Sequence, residues 1–190
     1  MSFLSRSAMA KAAAASLVVA AALAVVAFRI APPGRAHGVQ FLPSGTPAQL
    51  SSFIDESGAA VNVESYRGKV LILNLWAAWC VPCLQEMPSL DRLAERLPEN
   101  EFAVVAVTHD KIGDTAAKRA FDRLGLHRLK LYLDPEGNLS REIGARGMPT
   151  TLILGANGAP LSFREGEATW DSDEMIDYLK ALAEPTPRTG

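Results

Sequence analysis

Apolar positions along this chain follow patterns that change abruptly near residues 30 and 50. The first change ends a run of apolar and small residues, Ala12 to Phe28, interrupted only by Ser16 and preceded by Arg6 and Lys11. As a helix this run would reach roughly 25 Å at about 1.5 Å per residue, the short end of what a bilayer crossing needs. A cleavable signal would carry a shorter apolar core and a small-x-small site, which only Gly34-Arg35-Ala36 faintly supplies. An N-terminal membrane anchor over residues 1–30 is therefore favoured over a cleaved signal segment. The stretch 31–49, with Pro32, Pro33, Gly34, Pro43, Gly45 and Pro47, reads as a flexible linker. The folded domain is expected over 50–184, with 185–190 as a tail.

Inside the domain the periods are those of short strands and amphipathic helices. Phe53 to Val63, turning at Ser57-Gly58, reads as a hairpin, and Tyr66-Arg67-Gly68-Lys69 as a further turn. Val70 to Trp76, VLILNLW, is apolar except at Asn74, as a strand buried on both faces requires. Cys83, Met87, Leu90, Ala94 and Leu97 then recur at spacings of four and three, the mark of a helix with one buried face. Pro88 should kink that helix rather than end it. Phe102–Thr108 is a second buried strand, and Asp114 caps a helix carrying Ala117, Phe121 and Leu124 that ends at Gly125. Further strands are expected at Leu129–Leu133, Thr151–Leu154 and, after an Asn157-Gly158 turn, Leu161–Arg164. Asp171 and Glu174 form a capping pair ahead of a last helix with Met175, Ile176, Leu179 and Leu182 inward. Strands alternating with helices, closed by a late hairpin, predict an α/β sandwich: a mixed central sheet flanked by helices, with an N-terminal hairpin extension.

Composition narrows the chemistry. With 190 residues, 48% hydrophobic and 21% charged, the chain has the make-up of one globular domain. A net charge of -2 speaks against nucleic acid as a partner, and glycines that fall singly speak against a nucleotide loop, so no bound cofactor is expected. Both cysteines lie in Trp79-Cys80-Val81-Pro82-Cys83, where a buried strand passes into a helix. At the helix start, unpaired amides and the helix dipole favour a thiolate on Cys80, the nucleophile; Cys83, one turn on, can resolve the mixed disulfide. A structural disulfide across so small a loop would contribute only about 2 kcal/mol, against about 3 for a 15-residue loop. Zinc needs about four ligands, and His37, His109 and His127 are dispersed, so no metal site is expected. Val81-Pro82 lacks a histidine that would stabilise the thiolate, which favours a reductant over an oxidant. Trp79 reads as a packing and shielding residue beside Cys80, Trp76 as a strand aromatic, and His109 as a solvated loop residue rather than a copper ligand.

The stretch Asn74-Leu75-Trp76-Ala77-Ala78-Trp79-Cys80-Val81-Pro82-Cys83, followed by Glu86-Met87-Pro88, resembles the membrane-anchored thioredoxin-like reductases of the TlpA, ResA and CcmG group, TlpA most of all. The likeness runs over residues 50–183 and includes Gly68-Lys69 ahead of the first core strand. It implies a thioredoxin fold in which Gly147-Met148-Pro149-Thr150 is the cis-proline loop, so that Trp79, Val81, Pro82, Met148, Pro149 and Thr150 form the substrate surface. Where cytosolic thioredoxins carry a buried aspartate this chain has Asn74, and Glu86 matches a partly buried glutamate of the extracytoplasmic relatives, a catalytic partner of Cys80 and Cys83. The implied activity is disulfide reduction by dithiol exchange, on apocytochrome c or on copper-site assembly proteins of a respiratory oxidase. A membrane thiol-electron donor would resupply it, and the implied location is the cell membrane, single-pass, with the catalytic domain in the periplasm. A thiol peroxidase and a non-catalytic partner-docking module are the alternatives.

Overall fold

The computed structural model describes residues 40–41, 47–110 and 115–183. The chain divides into two units, residues 1–36 and 37–190, and only the second contains described residues. The expected anchor, most of the linker, His37, the Asp114 cap and the tail lie outside them.

Strand β4 (Val70–Trp76) is the centre of the sheet, and its alternation explains why. Val70, Ile72 and Trp76 enter one core cluster, while Leu71, Leu73 and Leu75 enter a second on the opposite face. All seven residues of the strand are buried, as a strand covered on both sides must be. Strand β5 (Phe102–Thr108) runs parallel to β4, and β6 (Leu131–Leu133) parallel to β5. On the other side β7 (Thr150–Leu154) and β8 (Pro160–Glu165) are antiparallel, joined through Asn157-Gly158. Gly158, at φ 75°, adopts the left-handed conformation this turn requires. The hairpin of β2 (Phe53–Asp55) and β3 (Ala60–Val61) extends the sheet beyond β6.

Helix α1 (Val81–Arg96) sets Cys83, Met87, Leu90 and Leu93 into the first cluster and runs uninterrupted through Pro88. Helix α2 (Thr115–Leu124) adds Ala117 and Ala120 to it. Helix α3 (Asn138–Ile143) covers the opposite face with Leu139, and α4 (Asp173–Ala183) returns Met175, Ile176 and Leu179 to the first. With β1 (Gln40–Phe41) at one edge, the strand order is β1-β8-β7-β4-β5-β6-β2-β3, and with helices on both faces this is a mixed α/β thioredoxin fold.

Some expectations change. Strand β1 (Gln40–Phe41) falls inside the stretch read as flexible linker and pairs with Phe163 and Ser162 of β8; two residues are too few to show alternation. Helix α3 was not anticipated, because six residues between Gly137 and Gly144 make fewer than two turns and cannot repeat a helical period. Its start is held by Asp134, which accepts the Asn138 and Leu139 N–H groups. Helix α4 is capped by Ser172, whose hydroxyl accepts the Met175 N–H at 3.2 Å, while Asp171 pairs with Arg92. The single-pass membrane placement is corrected: among the described residues no helix is long and apolar enough to cross a membrane. The run 12–28 that suggested it lies outside those residues, and the periplasmic placement of the domain, which rested on that span, falls with it.

Candidate active site

From Trp76 the chain turns through Ala77-Ala78-Trp79 into α1. The Cys80 N–H donates to the Ala77 carbonyl at 3.1 Å, and the Ala78 N–H donates to the Asp110 carboxylate at 2.8 Å. Asp110, buried just past β5, also accepts the Thr108 hydroxyl, so the neighbouring strand clamps the approach to the cysteines. Cys80 is the N-cap of α1, and its Sγ accepts the Cys83 N–H at 3.3 Å. Pro82 stands in the first turn, where its missing N–H removes no helical bond. Cys80 and Cys83 are joined in a disulfide. Cys83 is fully buried and Cys80 is 5% exposed, so what opening there is falls on Cys80. Trp79 and Val81 beside it are 70% and 64% exposed. Trp79 therefore projects into solvent instead of packing down as a shield, whereas Trp76 is fully buried against Phe121.

The register of the sheet brings the Pro149 loop to the same place. Leu75 pairs with Thr150 in the antiparallel β4/β7 ladder, and continuing that register sets Pro149 level with Trp76 and Met148 level with Ala77. The Met148–Pro149 peptide bond is cis. Met148 packs against the cluster that contains both cysteines, and the Thr150 hydroxyl donates to the Gly147 carbonyl at 2.7 Å. The Pro149 carbonyl accepts the Gly166 N–H at 2.8 Å, tying this loop to the chain that leaves β8.

Glu86 lies on the inner face of α1 one turn beyond Cys83, opposite Asn74 of β4, and is 3% exposed. Its carboxylate accepts Asn74 Nδ2 at 2.7 Å, Trp170 Nε1 at 2.9 Å and the Ala168 N–H at 3.0 Å. Burial pushes its carboxyl above the ordinary carboxylate range; the bonds from Trp170, Asn74 and Ala168, and the charge of Arg164, pull it part of the way back. Among the described residues, Asn74 Oδ1 has no hydrogen-bond partner. By turning over, this amide can donate to a carboxylate or accept from a carboxylic acid, which suits a neighbour that changes protonation state.

Against known protein families, the Redoxin model matches residues 38–170. This chain belongs to the Redoxin family. Within the family it is similar to thiol-disulfide oxidoreductase ResA of Bacillus thuringiensis subsp. konkukian, 27% identical over 128 residues, 67% of this chain and 72% of that protein. It is 31% identical over 173 residues to thiol:disulfide interchange protein CycY of Rhizobium leguminosarum bv. viciae, covering 80% of this chain and 91% of the relative. Among solved structures it is similar to a thiol:disulfide interchange protein DsbE from Chlorobium tepidum, with a TM-score of 0.65, 28% identity, and 75% and 99% of the two chains covered. These relatives are of ResA, CycY and DsbE type and do not single out TlpA, the neighbour expected from the motifs. The protein is a thiol-disulfide oxidoreductase whose redox-active pair is Cys80–Cys83.

For this Redoxin family member the structure adds residues that the sequence did not flag. Trp170 is fully buried, its indole on Glu86 and its backbone N–H on Ser89 Oγ at 3.1 Å. Ser89 in turn donates to the Glu86 carbonyl at 2.8 Å. The available signal was a lone tryptophan in an otherwise polar stretch, Arg164 to Glu174. Asp110 could not be singled out among surface acids without the β4/β5 pairing. His109, read as solvated, is half-buried with its ring against Gly137, where an added Cβ would fall 2.1 Å from Cε1.

The Glu86 contacts yield a first test. A carboxyl whose folded pKa is raised contributes stability that is fully present below the unfolded pKa and is lost as pH rises through the folded value. Glu86→Gln removes that slope: the variant should gain on the wild type as pH rises above the ordinary carboxyl range, with its amide N–H facing a turned-over Asn74. Urea melts of the two proteins across a pH series, together with the pH profile of exchange, report both effects. Parallel stability curves would return Glu86 to an inert acid.

Proposed function

We propose that the protein is a disulfide reductase in which Cys80 attacks, Cys83 resolves and Glu86 manages the proton. The observation that carries this reading is the coincidence at one sheet end of an N-capping Cys80, a buried Cys83 and a buried, hydrogen-bonded Glu86. In the reduced enzyme the Cys80 thiolate attacks one sulfur of a partner disulfide, and the other partner sulfur leaves as a thiolate and takes a proton. Cys83 then loses its proton towards Glu86 and attacks the Cys80 sulfur, forming the Cys80–Cys83 disulfide and releasing the second partner sulfur as a thiolate, which takes a proton from water. The partner gains two electrons and the enzyme loses two.

Trp79, Val81 and Pro82 on one side and Met148, Pro149 and Thr150 on the other frame the cysteine pair and receive the partner segment. Exposed apolar side chains beside a reactive thiol suit a protein substrate better than a small polar disulfide. By family resemblance, the partners are apocytochrome c or copper-site assembly proteins of a respiratory oxidase, and the electrons return through a membrane thiol-electron donor. Domain limits of 50–184, with β1 added at the sheet edge, describe the catalytic unit. The test is capture: Cys83→Ala should hold partners as mixed disulfides on Cys80, visible as adducts lost on reduction. Recovery of no cysteine-bearing partner, or of adducts that persist when Cys80 is also replaced, would sink the reading.

A further inference from the structure

Glu86 is sealed from three directions by neutral donors: Asn74 from β4, Trp170 from the segment before α4, and the Ala168 N–H from the segment after β8. On the fourth side it reaches an open groove of about 520 Å³ lined by Gln85, Glu86, Arg164, Glu167, Ala168 and Thr169. The charged neighbours in that groove are Arg164, from β8, and Glu167, from the turn that follows. Arg164 Nε donates to the Gly166 carbonyl at 3.3 Å and its Nη2 donates to the Glu167 carbonyl. Those carbonyls belong to the turn that presents the Ala168 N–H to Glu86. At its other end the turn holds Pro149 through Gly166. Arg164 therefore grips the piece of chain shared by the carboxylate and the Pro149 loop.

We propose that Arg164 is a positioning residue for disulfide exchange, holding the Gly166–Ala168 turn over Glu86 and standing with its guanidinium on the groove that Glu86 enters, so that it governs how Glu86 exchanges its proton with that groove. The role rests on the assignment of Glu86 above. It explains why an arginine, with a planar fork that can serve two carbonyls at once, stands where a lysine would reach only one in fixed geometry. It also explains how a carboxylate surrounded by protein still exchanges protons with water: the groove is its outlet, and the cation at the rim biases the equilibrium towards release. The groove lies on the Glu86 side of α1, so this traffic does not cross the substrate surface formed by Trp79, Val81 and Met148.

The experiment follows the Glu86 carboxyl directly, by carbon-13 NMR titration of the reduced protein, beside the pH profile of exchange with a disulfide peptide. Arg164→Gln should move the Glu86 midpoint up by about half a pH unit to one pH unit, less than a fully buried ion pair because the guanidinium is partly solvated. Arg164→Lys should return it most of the way, and Arg164→Met replaces the glutamine variant where that loosens the turn. On a Glu86→Gln background the Arg164 change should leave the exchange profile where Glu86→Gln alone put it. An unmoved midpoint in a folded Arg164→Gln or Arg164→Met protein overturns the role of Arg164 alone. An equal shift in the lysine variant overturns the part given to charge and assigns the role to the grip on the Gly166 and Glu167 carbonyls. Exchange indifferent to both Glu86→Gln and Arg164→Gln, with the midpoint moved, overturns the function given to Glu86 and this role with it.

Discussion

Cys80→Ser should bring disulfide exchange down to the uncatalysed background while leaving the reduced fold intact. The hydroxyl is close in size to the thiol and can accept the Cys83 N–H in the N-cap position, a role for which serine is well suited. What it cannot do is ionise near neutral pH or form a disulfide, and exchange requires both. The loss should be complete at every pH, unlike that of Glu86→Gln, which shifts a profile. Stability must be compared in matching redox states. Against the oxidised wild type the variant lacks a short cross-link, on the order of 2 kcal/mol by loop closure; against the reduced wild type it should be nearly level. Exchange assays with a disulfide peptide, and melts with and without reductant, separate the two. Residual turnover above background would mean that Cys83, buried as it is, can attack on its own.

How much of this was legible in the sequence depends on the range of the contact. Strand β4 and helix α1 were readable because their signals are local: an apolar run too continuous for a half-buried strand, then apolar positions at spacings of four and three. The placement of Cys80 at the start of α1 followed from the junction between them. The meeting of Glu86 with Asn74 follows from the same two elements, since Asn74 shares a face of β4 with Ile72 and Trp76, the face that α1 covers. The burial of Glu86 was not legible, because the lid over it comes from Ala168 and Trp170, more than eighty positions along the chain. Strand β1 and helix α3 were missed for a simpler reason. Each is too short to repeat the period that would reveal it, and each is fixed from outside, by the edge of β8 and by the Asp134 carboxylate. At the start of α4 the competition was between neighbours: Asp171 is spent on Arg92, so the cap passes to Ser172.

Trp170→Ala should cost about 3–5 kcal/mol of folding stability, the range for removing a fully buried large aromatic and leaving a cavity. Trp170→Phe divides that loss into two parts. It keeps most of the apolar bulk against the first core cluster and removes the indole N–H from the Glu86 carboxylate. A hydrogen bond to a charged group is worth about 1.5–3 kcal/mol, and the remaining difference from alanine is packing. The hydrogen-bond part must depend on pH, and its direction is fixed. Burial already holds the Glu86 carboxyl above its ordinary range, and the indole is foremost among the groups that lower it again. Without the indole the folded carboxyl binds its proton more tightly still. The phenylalanine variant should therefore stand closest to the wild type in acid, where Glu86 is protonated in both. It should fall behind as pH rises through the titration of Glu86, approaching the full penalty once the carboxylate is charged. Urea melts of wild type, Trp170→Phe and Trp170→Ala from acid to neutral pH give the curves, and adding Glu86→Gln should flatten the difference between wild type and phenylalanine. A gap that does not vary with pH would show that Trp170 acts by bulk alone, leaving Asn74 and Ala168 as the donors that hold the carboxylate.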